Sequence, residues 1–139
     1  MSHVNQLTPT KYPSIPLKTE GIGKQCLDAA FKVHTALGPG LLESVYEIAL
    51  SYELAKRGLT VETQMRLPIY YDEVQLDADL RVDLLVEKGV IIELKAVEKM
   101  IPLYEAQLLT YLKLSGIRLG YLINFNVIHL KDGIKRMVL

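Results

Sequence analysis

Three residues whose side chains could act in catalysis stand in two neighbouring apolar segments of the sequence. Asp83 lies within residues 80–86, and Glu93 and Lys95 lie within residues 90–96. Both segments have the composition of β-strands, in which residues two apart face the same way, so Glu93 and Lys95 share one face of an otherwise apolar strand. An isolated Glu-X-Lys pair is ordinarily a surface salt bridge. The apolar neighbours and the nearby Asp83 favour a chemical site instead.

The hairpin between the two strands decides whether Asp83 meets Glu93. A two-residue loop would send Asp83 to the opposite face of the sheet. A three-residue loop over 87–89 places Asp83 opposite Glu93, and it favours a left-handed residue at its last position, which is Gly89. The glycine therefore predicts the three-residue loop and a common face for both acids.

Two carboxylates at this position predict a metal site. Strict alternation places Asp83 on the same face as Leu85 and Val82 on the other. Opposed strand residues have Cβ atoms ~4.5–5.5 Å apart, so Asp83 and Glu93 repel unless a cation lies between them. Oxygen ligands with open water positions suit Mg²⁺ or Mn²⁺. Lys95 is then placed to orient or help deprotonate a water for attack on phosphorus.

Periodicity and turn residues predict the elements that position these side chains. Helices are expected over 22–37, 41–57 and 102–115, and strands over 60–71, 80–86, 90–96 and 119–127, with one more within 128–139. Pro68 indicates an edge position or a bulge for the first strand. Residues 1–18 have no period and are predicted to form an extended N-terminal arm, which leaves 19–139 as a single α/β domain.

The charge of the chain is balanced but unevenly distributed. The 139 residues, half of them apolar, include 16 basic and 16 acidic residues. Residues 1–87 hold eight Lys or Arg and twelve Asp or Glu, whereas residues 88–139 hold eight and four, so the two parts carry charges of −4 and +4. The basic part suits a groove that tracks phosphates, although a solvated surface is the ordinary interpretation.

The cellular setting follows from two absences in the sequence. Cys26 is the only cysteine, which excludes an internal disulfide and cysteine-rich metal sites and indicates a reducing compartment. The N-terminus lacks a basic region followed by an apolar run, and no segment reaches the ~18 apolar residues needed to span a bilayer. We expect a soluble, cytoplasmic protein without a membrane partner.

The pattern of Asp83, Glu93 and Lys95 resembles the PD-(D/E)XK nuclease superfamily, in which Asp stands on the second strand and (D/E)XK on the third. The Pro that often precedes the Asp is replaced here by Val82. The resemblance implies a restriction-endonuclease-like core, with a mixed central β-sheet flanked by helices in the order αβββαβ. The predicted element order is compatible with this core and adds one N-terminal helix.

A more specific resemblance is to the GxxExxY protein family, whose name is matched by Gly40-Leu41-Leu42-Glu43-Ser44-Val45-Tyr46. The segments 37–40, 93–98, 105–112 and 122–126 also look like that family, so the resemblance extends from about Ile22 to the C-terminus. Membership implies a nuclease-like site more firmly than it implies a substrate.

The resemblance implies a metal-dependent nuclease that hydrolyses phosphodiester bonds of DNA. Asp83, Glu93, the Leu94 carbonyl and Glu43 would hold Mg²⁺ or Mn²⁺, and Lys95 would assist the attacking water. Glu43 also has an ordinary explanation, because a carboxylate in the first turn of a helix interacts favourably with the helix dipole.

By similarity to RecB-type exonucleases, Gln107 would lie at the site as a catalytic residue, with Tyr111 one turn later in a supporting position. Both also fit an ordinary half-buried polar stripe, which they would share with Tyr104. Tyr46 is a further supporting candidate, although packing between helices explains it equally well.

Two other classes of function stay open from the sequence. The first is a non-catalytic nuclease-fold module that binds nucleic acid or a partner protein. The second is a homodimer whose main role is assembly. Metal binding that depends on Asp83 would distinguish a nuclease from both.

Overall fold

The computed structural model describes residues 13–139. Most of the predicted N-terminal arm, residues 1–12, lies outside the described residues. Residues 13–16 have no regular secondary structure, and the first helix begins at Leu17. The helix therefore starts two residues before the predicted boundary at residue 19.

The described residues form three α-helices and five strands. In chain order these are α1 Leu17–Leu37, α2 Glu43–Lys56, β1 Val61–Tyr71, β2 Val74–Val86, β3 Val90–Lys95, α3 Pro102–Ser115, β4 Leu119–Asn124 and β5 Ile134–Val138, with a 3₁₀ turn, Leu130–Gly133, before β5. The predicted order of helices and strands is confirmed. The second strand begins six residues earlier than predicted, because a two-residue turn at Asp72 and Glu73 lets β1 and β2 pair along a long ribbon.

The five strands form one mixed sheet in the order β1-β2-β3-β4-β5. β3 and β4 are parallel and are joined through α3, whereas the other neighbours are antiparallel. β1 lies at an edge of the sheet, and its register shifts between Pro68 and Tyr70. Pro68 thus marks both an edge strand and an irregularity, as the sequence indicated.

Each face of the sheet carries its own apolar cluster, as expected when helices cover both faces. Helices α1 and α2 cover one face, where the buried residues include Cys26, Ala30, Tyr46, Leu50, Leu84, Val86, Ile92 and Ile123. Helix α3 covers the other face, where Leu108 and Leu112 pack with Val82, Leu85, Ile91 and Leu122. This arrangement is an α/β restriction-endonuclease-like fold. Within residues 13–139, no helix is both long enough and apolar enough to cross a bilayer.

The β2–β3 hairpin has the predicted register. Val86 pairs with Val90 across the three-residue loop 87–89, and the pairing continues to Leu84 and Ile92. The next step of this register places Asp83 beside Glu93. A two-residue loop, which would have separated the acids, is excluded.

The conformation of this loop differs from the prediction. The left-handed residues are Glu87 and Lys88, with φ of 51° and 55°, and not Gly89. Two hydrogen bonds hold Glu87 in place: its N–H donates to Thr60 O at 2.8 Å, and its carboxylate accepts from Thr60 N–H at 2.6 Å. Contacts with the neighbouring chain segment therefore fix a conformation that a glycine would adopt without strain.

Strict alternation along β2 is also wrong at one point. Val82 and Leu85 pack into the same cluster beneath α3, whereas Leu84 belongs to the cluster beneath α1 and α2. The strand therefore changes faces at Asp83. Gln64, on the adjacent part of β1, has a left-handed φ of 52°, and this irregularity lies beside the change.

Candidate active site

The Asp83 and Glu93 side chains come together where the pairing of β2 with β3 ends. The backbone ladder between these strands ends at Leu84 and Ile92. Beyond it, the Asp83 N–H donates to Glu93 Oε2 at 2.8 Å, and the Leu94 N–H donates to Asp83 Oδ2 at 2.8 Å. Each carboxylate thus accepts a hydrogen bond from the backbone of the opposite strand, and the two side chains replace the missing rungs of the ladder.

This arrangement also sets the direction of the Leu94 carbonyl. A strand residue presents its N–H and C=O on the same side, as the paired residues of an antiparallel ladder do. Because the Leu94 N–H bonds to the Asp83 side chain, its carbonyl is directed toward the same side of β3.

Glu93 is strongly perturbed by its surroundings. Only 6% of its surface is exposed, and burial together with the nearby negative charge of Asp83 raises the pKa of Glu93 to about 8. The hydrogen bond from the Asp83 N–H and the charge of Lys95 act in the opposite direction. Glu93 therefore holds a proton near neutral pH when no cation is bound.

Helix α2 brings two further carboxylates to the cluster. Burial raises the pKa of Glu43, and the negative charge of Asp83 raises it further, which places Glu43 within electrostatic reach of the two central acids. Glu47 is one helical turn later, and burial and Asp83 raise its pKa in the same direction. The charge of Asp83 therefore acts on Glu43, Glu47 and Glu93.

Gln64 connects one of these helix acids to β2. Its amide nitrogen donates to Glu47 Oε1 at 2.7 Å and to Asp83 Oδ1 at 3.3 Å. The two acceptors belong to α2 and β2, so three elements meet through this single side chain.

The ammonium group of Lys95 lies against an aromatic ring. Its Nζ is 4.2 Å from the centroid of the Tyr104 ring, at the start of α3, in the geometry of a cation–π contact. The charge of Lys95 also lowers the pKa of Glu43 and Glu93, so the ammonium lies close to both acids. Tyr104 thus fixes the direction in which Lys95 points.

Helix α3 supplies the opposite wall of the site. Tyr104 contacts Lys95, and the pKa of Tyr111 is raised first by burial and then by the charges of Glu93 and Asp83. Gln107 lies between these two tyrosines at spacings of three and four residues, so it is on the same helix face. Its side chain is exposed and forms no hydrogen bond with the rest of residues 13–139.

Tyr46 contacts the loop before α2 and a core residue. Its hydroxyl donates to Gly38 O at 2.6 Å and accepts from the Leu41 N–H at 3.1 Å, and its ring packs edge-on against Phe125 at 4.6 Å between centroids. Tyr46 therefore holds the loop that precedes Glu43 and packs in the core.

Asn124, at the end of β4, fixes the chain just after β3. It is almost fully buried, accepts from the N–H groups of Val97 and Asn126, and donates to Val97 O. The Phe125 N–H also donates to Lys95 O at 2.9 Å. These bonds hold the segment that follows Lys95, and Asn124 caps the end of the sheet.

Sequence reasoning missed Gln64 and Glu47. Glu47 stands four residues after Glu43 and so shares its helix face, a signal that was available in the sequence. Gln64 has no such signal, because its position depends on a left-handed conformation that glutamine rarely adopts.

The model of the PD-(D/E)XK nuclease superfamily matches residues 20–137. The chain belongs to this superfamily. A comparison with curated proteins gives no match. Among solved structures, the crystal structure of SSO0001 is similar, with 20% sequence identity, a TM-score of 0.48, and coverage of 95% of this chain and 69% of that one.

Nucleases of the PD-(D/E)XK superfamily generally use divalent metal ions, and the donor set of this chain fits such an ion. Asp83 and Glu93 offer two carboxylates, and hard oxygen ligands of this kind suit Mg²⁺ or Mn²⁺, which keep several waters. Within residues 13–139, no three His, Cys, Asp or Glu side chains converge tightly enough to enclose an ion by themselves. A bound ion would complete its coordination with water and the Leu94 carbonyl.

Proposed function

We propose that the protein is a metal-dependent nuclease that hydrolyses phosphodiester bonds of DNA. Asp83 and Glu93 would hold the metal, together with the Leu94 carbonyl and Glu43. The metal would supply charge stabilisation for the phosphoryl oxygens and lower the pKa of a water. The proposal rests on the superfamily match and on the hydrogen bonds that bring the Asp83 and Glu93 carboxylates to the end of the β2–β3 pairing, where the charge of Lys95 lowers the pKa of Glu93.

The reciprocal hydrogen bonds of Asp83 and Glu93 carry the proposal. A buried acid beside a second acid is unfavourable for folding alone, because burial and the charge of Asp83 raise the cost of ionising Glu93. The backbone N–H groups of Asp83 and Leu94 nevertheless fix both carboxylates in one orientation. Such pre-organisation suits a cation that neutralises the pair.

Lys95 is assigned the task of positioning the attacking water. Its ammonium donates protons and cannot ligate a cation, so it acts on the water or on the negative charge that develops at phosphorus. The Tyr104 ring restricts this side chain to the neighbourhood of Glu43 and Glu93. A fixed ammonium beside a metal-bound pair of acids suits hydrolysis better than structural pairing.

Helix α3 is assigned the substrate side of the site. Gln107 has a free amide on the face that also carries Tyr104 and Tyr111. An exposed amide with no protein partner is able to donate to a phosphate oxygen or accept from the water. Tyr111, beside Asp83 and Glu93, is assigned a supporting role.

A cleavage assay tests the proposal. Wild type with Mg²⁺ or Mn²⁺ is expected to cleave at least one of single-stranded, duplex and branched DNA, and Asp83→Asn is expected to abolish both cleavage and Mn²⁺ binding by calorimetry. The matched control is Asp77→Asn, which changes an exposed acid on the same strand.

Three other results would contradict the proposal. Cleavage of RNA alone would replace the DNA assignment. Nucleic-acid binding without cleavage in either metal would favour the alternative of a non-catalytic module, and a stable dimer without nucleic-acid or metal binding would favour an assembly role.

A further inference from the structure

Gln64 adopts a conformation that is unusual for its residue type. It lies within β1, but its φ of 52° is in the left-handed region, which glutamine rarely occupies and glycine occupies freely. Such strain persists only where the surrounding structure holds it, and it is frequent at functional sites. Contacts in the folded protein must therefore hold Gln64 in this conformation.

The side chain of Gln64 makes two hydrogen bonds that hold it in place. The amide nitrogen carries two N–H donors, and both acceptors are acids of the candidate site, Glu47 Oε1 at 2.7 Å and Asp83 Oδ1 at 3.3 Å. A neutral donor is the suitable group here. An arginine or lysine would bring a positive charge that competes with a cation, and a glutamate would add a third negative charge.

Gln64 also lies where the strands change faces in the sheet. Before it on β1, Val61 packs beneath α1 and α2, and after it Met65 packs beneath α3. On β2 the same reversal occurs at Asp83, between Val82 and Leu84. The left-handed residue therefore lies where both strands exchange faces.

We infer that Gln64 is a positioning residue, which holds the Asp83 carboxylate for metal binding by linking it to Glu47. This inference rests on the proposed function and extends it to two residues outside the PD-(D/E)XK motif. Gln64 supplies one of the contacts to Asp83 and the Leu94 N–H supplies the other, so each carboxylate oxygen of Asp83 has one donor. Glu47 acts through its hydrogen bond to Gln64.

The experiment separates positioning from folding by using glycine. Gln64→Gly removes the amide but relieves the left-handed strain, so the melting temperature is expected to stay equal or rise. The Mn²⁺ affinity and kcat are expected to fall by about 10–100-fold, as is typical when a group that orients a metal ligand is lost. Retention of wild-type Mn²⁺ affinity and kcat in Gln64→Gly would overturn the inference.

Glu73→Gly is the matched control. Glu73 also has a left-handed φ, of 63°, but it lies in the turn between β1 and β2, away from the acids. Its replacement should change the melting temperature in the same direction and leave Mn²⁺ binding and cleavage unchanged. If Gln64→Gly does not fold, Gln64→Asn serves instead, because asparagine tolerates this conformation but is one methylene too short to reach both acids.

Variants of Glu47 test the link itself. Glu47→Gln keeps an acceptor oxygen for Gln64 and is expected to retain most of the Mn²⁺ affinity, whereas Glu47→Ala should lose as much as Gln64→Gly. Equal losses in Glu47→Gln and Glu47→Ala would overturn the positioning role. In the combined variant Glu47→Ala/Gln64→Gly the loss should match either single change, because the two residues act as one unit.

The outcomes distinguish this inference from the proposed function. If wild type binds no Mn²⁺ and cleaves no nucleic acid, the proposed function fails, and the inference fails with it. If wild type binds Mn²⁺ and cleaves, but the Gln64 and Glu47 variants behave like wild type, only the inference is overturned.

Discussion

Asp83 and Glu93 are joined across two strands at the point where the backbone ladder between them ends. The Asp83 N–H donates to the Glu93 carboxylate, and the Asp83 carboxylate accepts from the N–H of Leu94. Both oxygens that accept these bonds are held by backbone N–H groups of the opposite strand. Burial and the charge of Asp83 raise the pKa of Glu93, and the effects on stability and metal binding can be measured.

The free energy of unfolding of the metal-free protein should fall as the pH rises from about 5 to about 8. Because the pKa of Glu93 is raised to about 8, the folded state holds a proton in this range that the unfolded state has already released. The decrease is at most about 1.4 kcal/mol per pH unit from this one group, and it ends above pH 8.

Glu93→Gln should flatten this dependence and make the metal-free protein more stable at pH 8. Some slope should remain, because burial also raises the pKa of Glu43 and Glu47. Chemical denaturation in a chelating buffer at several pH values gives the measurement, with Glu98→Gln at an exposed position as the control. An unchanged slope in Glu93→Gln would show that Glu93 is not the perturbed group.

Metal affinity should increase with pH in the same range. A proton and a cation compete for Glu93, whose pKa is about 8, so the Mn²⁺ affinity should rise by up to about tenfold per unit below pH 8 and then level off. Calorimetry in two buffers of different ionisation enthalpy measures the protons released on binding. No proton release at pH 6.5 would contradict the placement of the metal at Glu93.

Lys95→Ala should abolish hydrolysis while leaving Mn²⁺ binding nearly intact. The ammonium cannot ligate a cation, and its removal takes a positive charge away from the metal, so only the step that uses the water is affected. The rate should fall by ~10²–10⁴, the range for a lost general acid–base contact. Glu93→Ala should lose both binding and cleavage, and Lys99→Ala is the control at an exposed lysine. Equal cleavage by wild type and Lys95→Ala would assign the activity to another site.

The activity should depend on the aromatic ring of Tyr104 and not on its hydroxyl. Tyr104→Phe keeps a face for the Lys95 ammonium, which lies 4.2 Å from the ring centroid, and should retain activity. Tyr104→Leu removes that face, worth about 0.5–2 kcal/mol, so kcat should fall several-fold with little change in KM. Steady-state kinetics of the two variants provide the comparison. A similar loss in Tyr104→Phe would instead indicate a role for the hydroxyl.

The pairing of Asp83 with Glu93 was predictable because local features of the sequence determine this hairpin. The apolar pattern, the loop length and the identities of Asp83, Glu93 and Lys95 all point to the same hairpin. The register was confirmed, and the chain belongs to the superfamily that the motif resembles. The roles of Glu43 and Gln107 stay predictions, although the structure places both on elements that flank the acids.

The parts that the sequence did not predict depend on contacts between distant segments. The change of faces at Asp83 lies beside the left-handed Gln64, and nothing in the local sequence identifies Gln64 as left-handed. The loop conformation depends in the same way on Thr60, which is 27 residues from Glu87. Alternation and turn preferences describe isolated strands and loops, so they fail where tertiary hydrogen bonds impose another conformation.

Variants of the β2–β3 loop test whether tertiary hydrogen bonds override the turn preference of the sequence. Sequence preference assigns the left-handed position to Gly89, whereas Lys88 has a φ of 55° and Gly89 is not left-handed. Lys88→Gly should therefore stabilise the protein by about 0.5–1 kcal/mol, because it removes a steric strain that glycine does not have.

Gly89→Ala should be tolerated. A Cβ at this position would lie 3.6 Å from Glu87 O and 4.0 Å from a methyl group of Thr19, which are ordinary contacts. Urea denaturation of the two variants beside wild type checks both expectations, and neither change should affect Mn²⁺ binding, because the loop lies at the opposite end of β3 from Lys95. Destabilisation by Gly89→Ala combined with no gain from Lys88→Gly would mean that the loop in solution follows the sequence preference after all.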